Sequence, residues 1–269
     1  MSQHSKIQVP GLTLHVEEQG EGAPVLFIGG TGADLRQKPN VLDGPLARAF
    51  HVIAYDQRGL GQTDKPEGPF TMADYADDAA ALLDALGHEQ VDVVGVSFGG
   101  MVAQHLAIRH PQRIRRLVLC CTSPGGDMPS YPFHELPDDL SPVDRMLQLM
   151  SVSDTRRDEA WQSENPEFVE KMKEQVQAGA IKDHEKPDYR RGAKLQLEAR
   201  AGHDTLAQLP ALSMPVLICA GRYDGIAPAT NQEKLHELIT GSELKWYEGG
   251  HLFIVQDKSA WTDIVTFLS

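Results

Sequence analysis

The residue best placed to do chemistry is a serine with glycine on either side. In Gly95-Val96-Ser97-Phe98-Gly99-Gly100 it follows a short β-branched run, 91–96, and precedes a helical segment. The chain therefore makes a very tight strand-to-helix turn here. A residue lifted to the tip of such a turn needs neighbours without side chains, and Gly95 and Gly99 supply them. The turn pushes the Ser97 hydroxyl clear of the strand, while the first free amides of the helix point into the same space. Taken alone the pattern is more often a plain glycine turn, so its surroundings decide. A serine hydroxyl is a poor nucleophile at neutral pH; it needs a base within hydrogen-bond reach, and the base needs a partner that fixes its tautomer. One imidazole is well placed: in Glu248-Gly249-Gly250-His251 the glycines free the loop after a strand to bring the ring back over the sheet.

A second glycine-rich loop, Gly29-Gly30-Thr31-Gly32-Ala33-Asp34, follows the continuous apolar run 24–28. Backbone that bare approaches something closely, either a phosphate or the oxyanion of an acyl intermediate. The phosphate is poorly served. There is no G-K-[ST] ending and no G-x-G-x-x-G opening a helix with an acidic residue about 20 positions on.

The elements that must position these loops are readable from periodicity. Residues 6–9 and 12–17 form a hairpin turned at Pro10-Gly11, and 24–28, 51–55, 91–96, 117–121, 215–220 and 243–247 read as strands, several of them apolar throughout as strands buried on both faces are. Residues 41–50 predict a short helix. Thr71 opens another as N-cap, with Asp74 three residues on as an acidic near-match to a capping box, Ala76, Ala79, Ala80, Leu83 and Leu86 as its apolar face and Gly87 as its stop. Its carboxylates Asp74, Asp77, Asp78 and Asp84 predict a solvated face. Further helices are expected over 100–109, where His105 reads as packed or surface rather than catalytic, and over 231–240 and 258–268. Between 127 and 209 strand signal fades, and Met128, Tyr131, Phe133, Met146, Met150, Trp161, Phe168 and Met172 are spread through helical segments. Most of these predict a small core of that segment's own, with a few facing inward to roof an apolar substrate pocket.

At 269 residues, 41% hydrophobic and 23% charged, the chain has an ordinary globular composition. A formal charge of −13 opposes non-specific binding to nucleic acid or an anionic membrane. The three cysteines, Cys120, Cys121 and Cys219, lie in apolar runs and predict buried free thiols rather than a disulfide framework. The first residues lack the charged and apolar regions of a signal peptide, and no run approaches the roughly 20 apolar residues of a membrane span, so a cytoplasmic location is expected. His134, His184 and His203 lack metal-ligand spacing, and no metal or cofactor is assigned.

The G-x-S-x-G turn at Ser97 resembles the nucleophile elbow of the α/β-hydrolase superfamily. A second match is Asp56-Gln57-Arg58-Gly59-Leu60-Gly61-Gln62-Thr63, similar to that superfamily's D-x-R-G-x-G-x-[ST] loop. In it Asp56 is expected to accept backbone amides and Arg58 to tie neighbouring carbonyls. The resemblance implies a mostly parallel eight-stranded sheet flanked by helices, with a helical lid inserted after the sixth strand. The corresponding division is a core of 1–126 and 210–269 and a lid of 127–209.

It also implies roles. Asp224, in Gly221-Arg222-Tyr223-Asp224-Gly225 just past a buried strand, stands where the superfamily keeps its triad acid, and serine, aspartate, histidine is its chain order. Asp34, Asp56 and Asp127 precede or lie off that strand. Ser97, Asp224 and His251 are thus the expected catalytic residues, with turnover rising as the imidazole loses its proton. The oxyanion donors implied are the amides of Phe98 and Thr31. Gly29-Gly30 stand where many relatives have His-Gly, and Gly30 is the alternative to Thr31. The resemblance is nearest to the small lidded branch of carboxylesterases, enol-lactone hydrolases and cofactor-free haloperoxidase or perhydrolase enzymes. It implies hydrolysis of a small-molecule ester or lactone bearing an apolar group. Haloperoxidase or perhydrolase chemistry or carbon–carbon bond hydrolysis with the same residues, and a non-catalytic ligand receptor on the same fold, are the alternatives.

Overall fold

The apolar runs line up side by side as one eight-stranded sheet, in a computed structural model that describes residues 3–137, 139–179 and 181–269. The strands are β1 (Gln3–Val9), β2 (Leu12–Gln19), β3 (Pro24–Ile28), β4 (His51–Tyr55), β5 (Val91–Val96), β6 (Ile114–Cys120), β7 (Val216–Gly221) and β8 (Glu243–Tyr247), in spatial order β1-β2-β4-β3-β5-β6-β7-β8. β1 and β2 form the expected hairpin, with Gly11 at φ +83° in its turn. β2 runs antiparallel to β4, and every later pairing is parallel. Because the parallel strands point one way, the loops that follow β3, β5, β7 and β8 emerge at the same edge.

Both faces of the sheet are covered, which is why its strands are apolar without alternation. Leu26 and Val93 face a core built with α2 (Met72–Ala85) and α3 (Phe98–Arg109), while Val25 and Val94 face another built with α1 (Pro45–Ala49) and α10 (Ser259–Leu268). α8 (Ala229–Leu238) contributes Leu235 to the first core. The start of α2 carries a complete capping box: the Asp74 amide donates to Thr71 Oγ1, and the Thr71 amide donates to Asp74.

Three expectations are corrected. Residues 41–50 do not form one helix: a 3-10 turn, Val41–Asp43, stops at Gly44, and Pro45 begins α1 because its ring nitrogen has no hydrogen to donate back along a continuing helix. Asp78 is not solvated. It is buried and held at 2.7 Å by both Nε and Nη2 of Arg58, so that arginine ties a carboxylate on α2 rather than neighbouring carbonyls. Burial pushes the Asp78 carboxyl upward in pKa, more than Arg58 pulls it down. A one-turn helix, α9 (Phe253–Gln256), also follows His251.

The lid follows β6 and consists of α4 (Pro142–Ser153), α5 (Glu159–Glu164), α6 (Pro166–Ala178) and α7 (Pro187–Ala201). Neither α5 nor α6 has a fully buried residue among those described. Their contacts are local: Trp161 meets Phe168 edge-on at 5.2 Å, and Arg157 lies over both rings. The lid is tied to the loop after β3 where His184 meets Asp34 at 2.9 Å and Arg36 bonds Asp183. No helix among the described residues is long and apolar enough to cross a membrane.

Candidate active site

Ser97 occupies the junction of β5 and α3 with φ +56° and ψ −117°, a conformation a side-chain-bearing residue adopts only when its surroundings impose it. They do. The Ser97 amide donates to the Cys120 carbonyl at 2.8 Å, and the Ser97 carbonyl accepts from Thr122 Oγ1 at 2.9 Å. The flanking glycines are required by packing: a Cβ at Gly95 would lie 2.4 Å from the Gly99 carbonyl oxygen, and one at Gly99 would lie 2.0 Å from that of Ile28.

The loops after β7 and β8 deliver the other two expected residues to the serine. His251 Nε2 is 2.9 Å from Ser97 Oγ, and His251 Nδ1 is 2.8 Å from Asp224 Oδ2. Asp224 Oδ1 is already fixed, accepting the amides of Ile226 at 2.8 Å and Ala227 at 2.9 Å. Its other oxygen is thereby aimed at the imidazole. The alternative acids are engaged elsewhere. Asp34 binds Arg36 and His184, Asp56 accepts the amides of Leu35 and Gln62 as its loop predicted, and Asp127 is exposed.

The loop after β3 closes over the serine. Gly30 faces it so nearly that a Cβ there would lie 3.5 Å from Ser97 Cβ. The loop turns through Gly32 at φ +71° and is closed by the Ala33 amide donating to the Gly30 carbonyl. It is held from the core by Gln57 Nε2 on the Gly29 carbonyl and from α7 by the Gly32 amide on Gln196 Oε1. None of the Gly30, Thr31 and Phe98 amides is given to an acceptor among the described residues. Ser97 is only 6% exposed. A 550 Å³ groove lined by Pro45, Val255 and Trp261 lies elsewhere and contains none of the three residues.

Two features have no signal in the sequence. The first is the end of α4, whose carbonyls hold the loops that carry Asp224 and His251: Val152 accepts the Gly225 amide at 2.9 Å and Ser153 accepts the His251 amide at 2.6 Å. A Cβ at Gly250 would lie 2.1 Å from that Ser153 oxygen. Gly250→Ala must push the histidine loop away from α4. An expected fall of about a hundredfold in kcat/KM follows from misplacing a reacting group by the order of an ångström, measured on any ester the parent protein turns over. The second is Cys121, at φ +42° and 1% exposed. Its sulfur lies within 4.8 Å of ligand atoms of Asp224 and His251, and burial holds its thiol well above the ordinary range, so it packs as a neutral thiol. All three cysteines are free and buried, as expected. Among the described residues, the other group with metal-ligand atoms that close is His4, His15 and Glu17 on β1 and β2, where Lys38 already bonds Glu17. His105 is packed, bonded to His203 at 3.1 Å.

The comparisons with known proteins agree with this architecture. The chain is 29% identical over 250 residues to a poly(3-hydroxyalkanoate) depolymerase of Ectopseudomonas oleovorans, covering 90% of this chain and 82% of that protein. It is 28% identical over 218 residues to 3-oxoadipate enol-lactonase 2 of Acinetobacter baylyi, covering 80% and 77%. In fold it is similar to a meta-cleavage product hydrolase of Pseudomonas fluorescens IP01, with a TM-score of 0.80 at 23% identity and coverage of 98% and 96%. The family model described as alpha/beta hydrolase fold matches residues 23–258, and the chain belongs to that family.

Proposed function

We propose that this hydrolase cleaves carboxylic esters or lactones through an acyl-enzyme on Ser97. The observation that carries the reading is the unbroken line of hydrogen bonds from Ser97 Oγ through His251 to Asp224, set at the ends of three strands. Asp224 accepts from Nδ1–H and leaves Nε2 free to take the serine proton. Ser97 Oγ attacks the carbonyl carbon, and the carbonyl π electrons move onto oxygen. The Thr31 and Phe98 amides hold that oxyanion; one such donor is worth about 3 kcal/mol of barrier. The oxyanion collapses, the C–O bond to the leaving alcohol breaks, and His251 gives the alcohol its proton. Water, deprotonated by His251, then attacks the acyl carbon, the bond to Ser97 Oγ breaks, and His251 returns its proton to that oxygen as the acid leaves.

The depolymerase is named for poly(3-hydroxyalkanoate) and the enol-lactonase for an enol-lactone, which supports an oxygen-linked acyl group. Residues 127–209 act as a cap on a core of 1–126 and 210–269, and opening of that cap admits the substrate to the site. A fluorophosphonate probe is expected to form one adduct, mapped to Ser97 by peptide mass spectrometry, and a panel of short-chain esters and lactones is expected to be turned over. Labelling without turnover of any panel member would favour carbon–carbon bond hydrolysis or a ligand receptor instead.

A further inference from the structure

Arg200, in the last turn of α7, is the one buried arginine among the described residues, at 6% exposure, and no carboxylate there pairs with it. The other arginines of this protein show what such a side chain ordinarily does. Arg36 grips both oxygens of Asp34, Arg58 those of Asp78, Arg109 those of Asp77, and Arg156 those of Asp154. Each is more exposed than Arg200. The Arg200 fork instead holds two neutral hydroxyls, Nη1 donating to Thr31 Oγ1 at 2.8 Å and Nη2 to Ser130 Oγ at 2.7 Å, with its Cζ 4.5 Å from the centre of the Phe133 ring.

A guanidinium taken out of water and given only neutral partners is a cost to the fold, because its lost hydration is poorly replaced. Burial lowers its pKa to about 10, which still leaves it charged at neutral pH. Asp224, the first anion whose field it feels, is committed to His251 and two amides. The position of the charge matters as much as its isolation. Thr31 follows the glycine that faces Ser97, while Ser130 and Phe133 lie between β6 and α4. The unpaired cation therefore reaches from α7 of the lid to the loop over the serine.

We propose that Arg200 receives a carboxylate of the substrate, so that the ester or lactone taken by this site carries an acid group on the side of the loop after β3. The inference rests on the hydrolase reading for its substrate, and on the unpaired guanidinium for its charge. A planar fork suits a carboxylate's two oxygens, which would take over or join the hydroxyls of Thr31 and Ser130. The chain's charge of −13 repels an anion at long range, and only a local cation offsets that inside the site.

The test compares mono-p-nitrophenyl glutarate with p-nitrophenyl pentanoate, acyl chains of equal length with and without the acid. The ratio of their kcat/KM values is expected to exceed about ten in the parent protein, a modest return for a charge-assisted pair. It should fall to about one or below in Arg200→Gln and lie between in Arg200→Lys, which keeps the charge and loses the fork. Glutarate itself, titrated into the unreacted proteins by calorimetry, should bind the parent and not Arg200→Gln; that readout needs no turnover. A parent ratio near one without glutarate binding overturns the proposal and leaves ester hydrolysis standing. Equal losses on both esters in Arg200→Gln, with the ratio kept, also overturn it and make Arg200 a support for Thr31. Glutarate binding that depends on Arg200, in a protein that turns over neither ester, sustains the carboxylate site and removes the hydrolase reading.

Discussion

Ser97→Ala is expected to lower turnover of a small activated ester by about four to six orders of magnitude while leaving the fold in place. The size follows from what disappears. Without Oγ there is no acyl-enzyme, and His251 has no hydroxyl to deprotonate at 2.9 Å; only binding and the loop amides remain to favour direct attack by water. The fold should survive because alanine meets the same backbone cost at φ +56° as serine does and brings no added atom into the elbow. The amide and carbonyl bonds that hold the elbow, to Cys120 and from Thr122, are made by main chain at residue 97 and persist. One side-chain hydrogen bond is lost, worth about 1 kcal/mol. Steady-state rates, the unfolding midpoint in urea and the fluorophosphonate adduct should be read on the same preparation. A variant that keeps a tenth of the parent rate, or still acquires the adduct, would place the nucleophile elsewhere.

How far the site was legible depends on whether its chemistry rests on local chain. Ser97 and His251 are legible because each lies in a glycine context that no ordinary strand end needs, and the packing found at Gly95, Gly99 and Gly250 gives that context its cause. Asp56 is legible for the same reason, since a turn's own amides satisfy it. Asp224 needed the resemblance, because an aspartate after a strand is common and nothing local marks this one. What could not be read is whatever depends on a distant partner. Asp78 looks like one of several acids on a helix, and only the fold carries Arg58 across to bury it. The carbonyls of Val152 and Ser153 have no side-chain signal at all. Arg200 is one more charge in a polar helix, α7, until the lid is folded onto the loop after β3 and its carboxylate partner proves to be missing.

Asp224→Asn is expected to cost about four orders of magnitude in kcat with little change in the structure, and the hydrogen bonds around residue 224 say why. Oδ1 accepts two amides, from Ile226 and Ala227. The NH₂ of the substituted side chain cannot sit there, since it would face two donors, so its carbonyl oxygen must take that place. The NH₂ is then turned toward His251 Nδ1, 2.8 Å from the carboxylate in the parent. A donor facing Nδ1 requires that nitrogen to accept, which moves the imidazole proton to Nε2, opposite Ser97 Oγ. The base is then in the tautomer that cannot take the serine's proton. Loss of the carboxylate also removes the charge that steadies the imidazolium formed on attack. Because serine is still present, the fluorophosphonate adduct should still map to Ser97 but form far more slowly, separating this variant from Ser97→Ala. A second acid serving the histidine would keep the labelling rate within tenfold of the parent, and that outcome would reassign the role of Asp224.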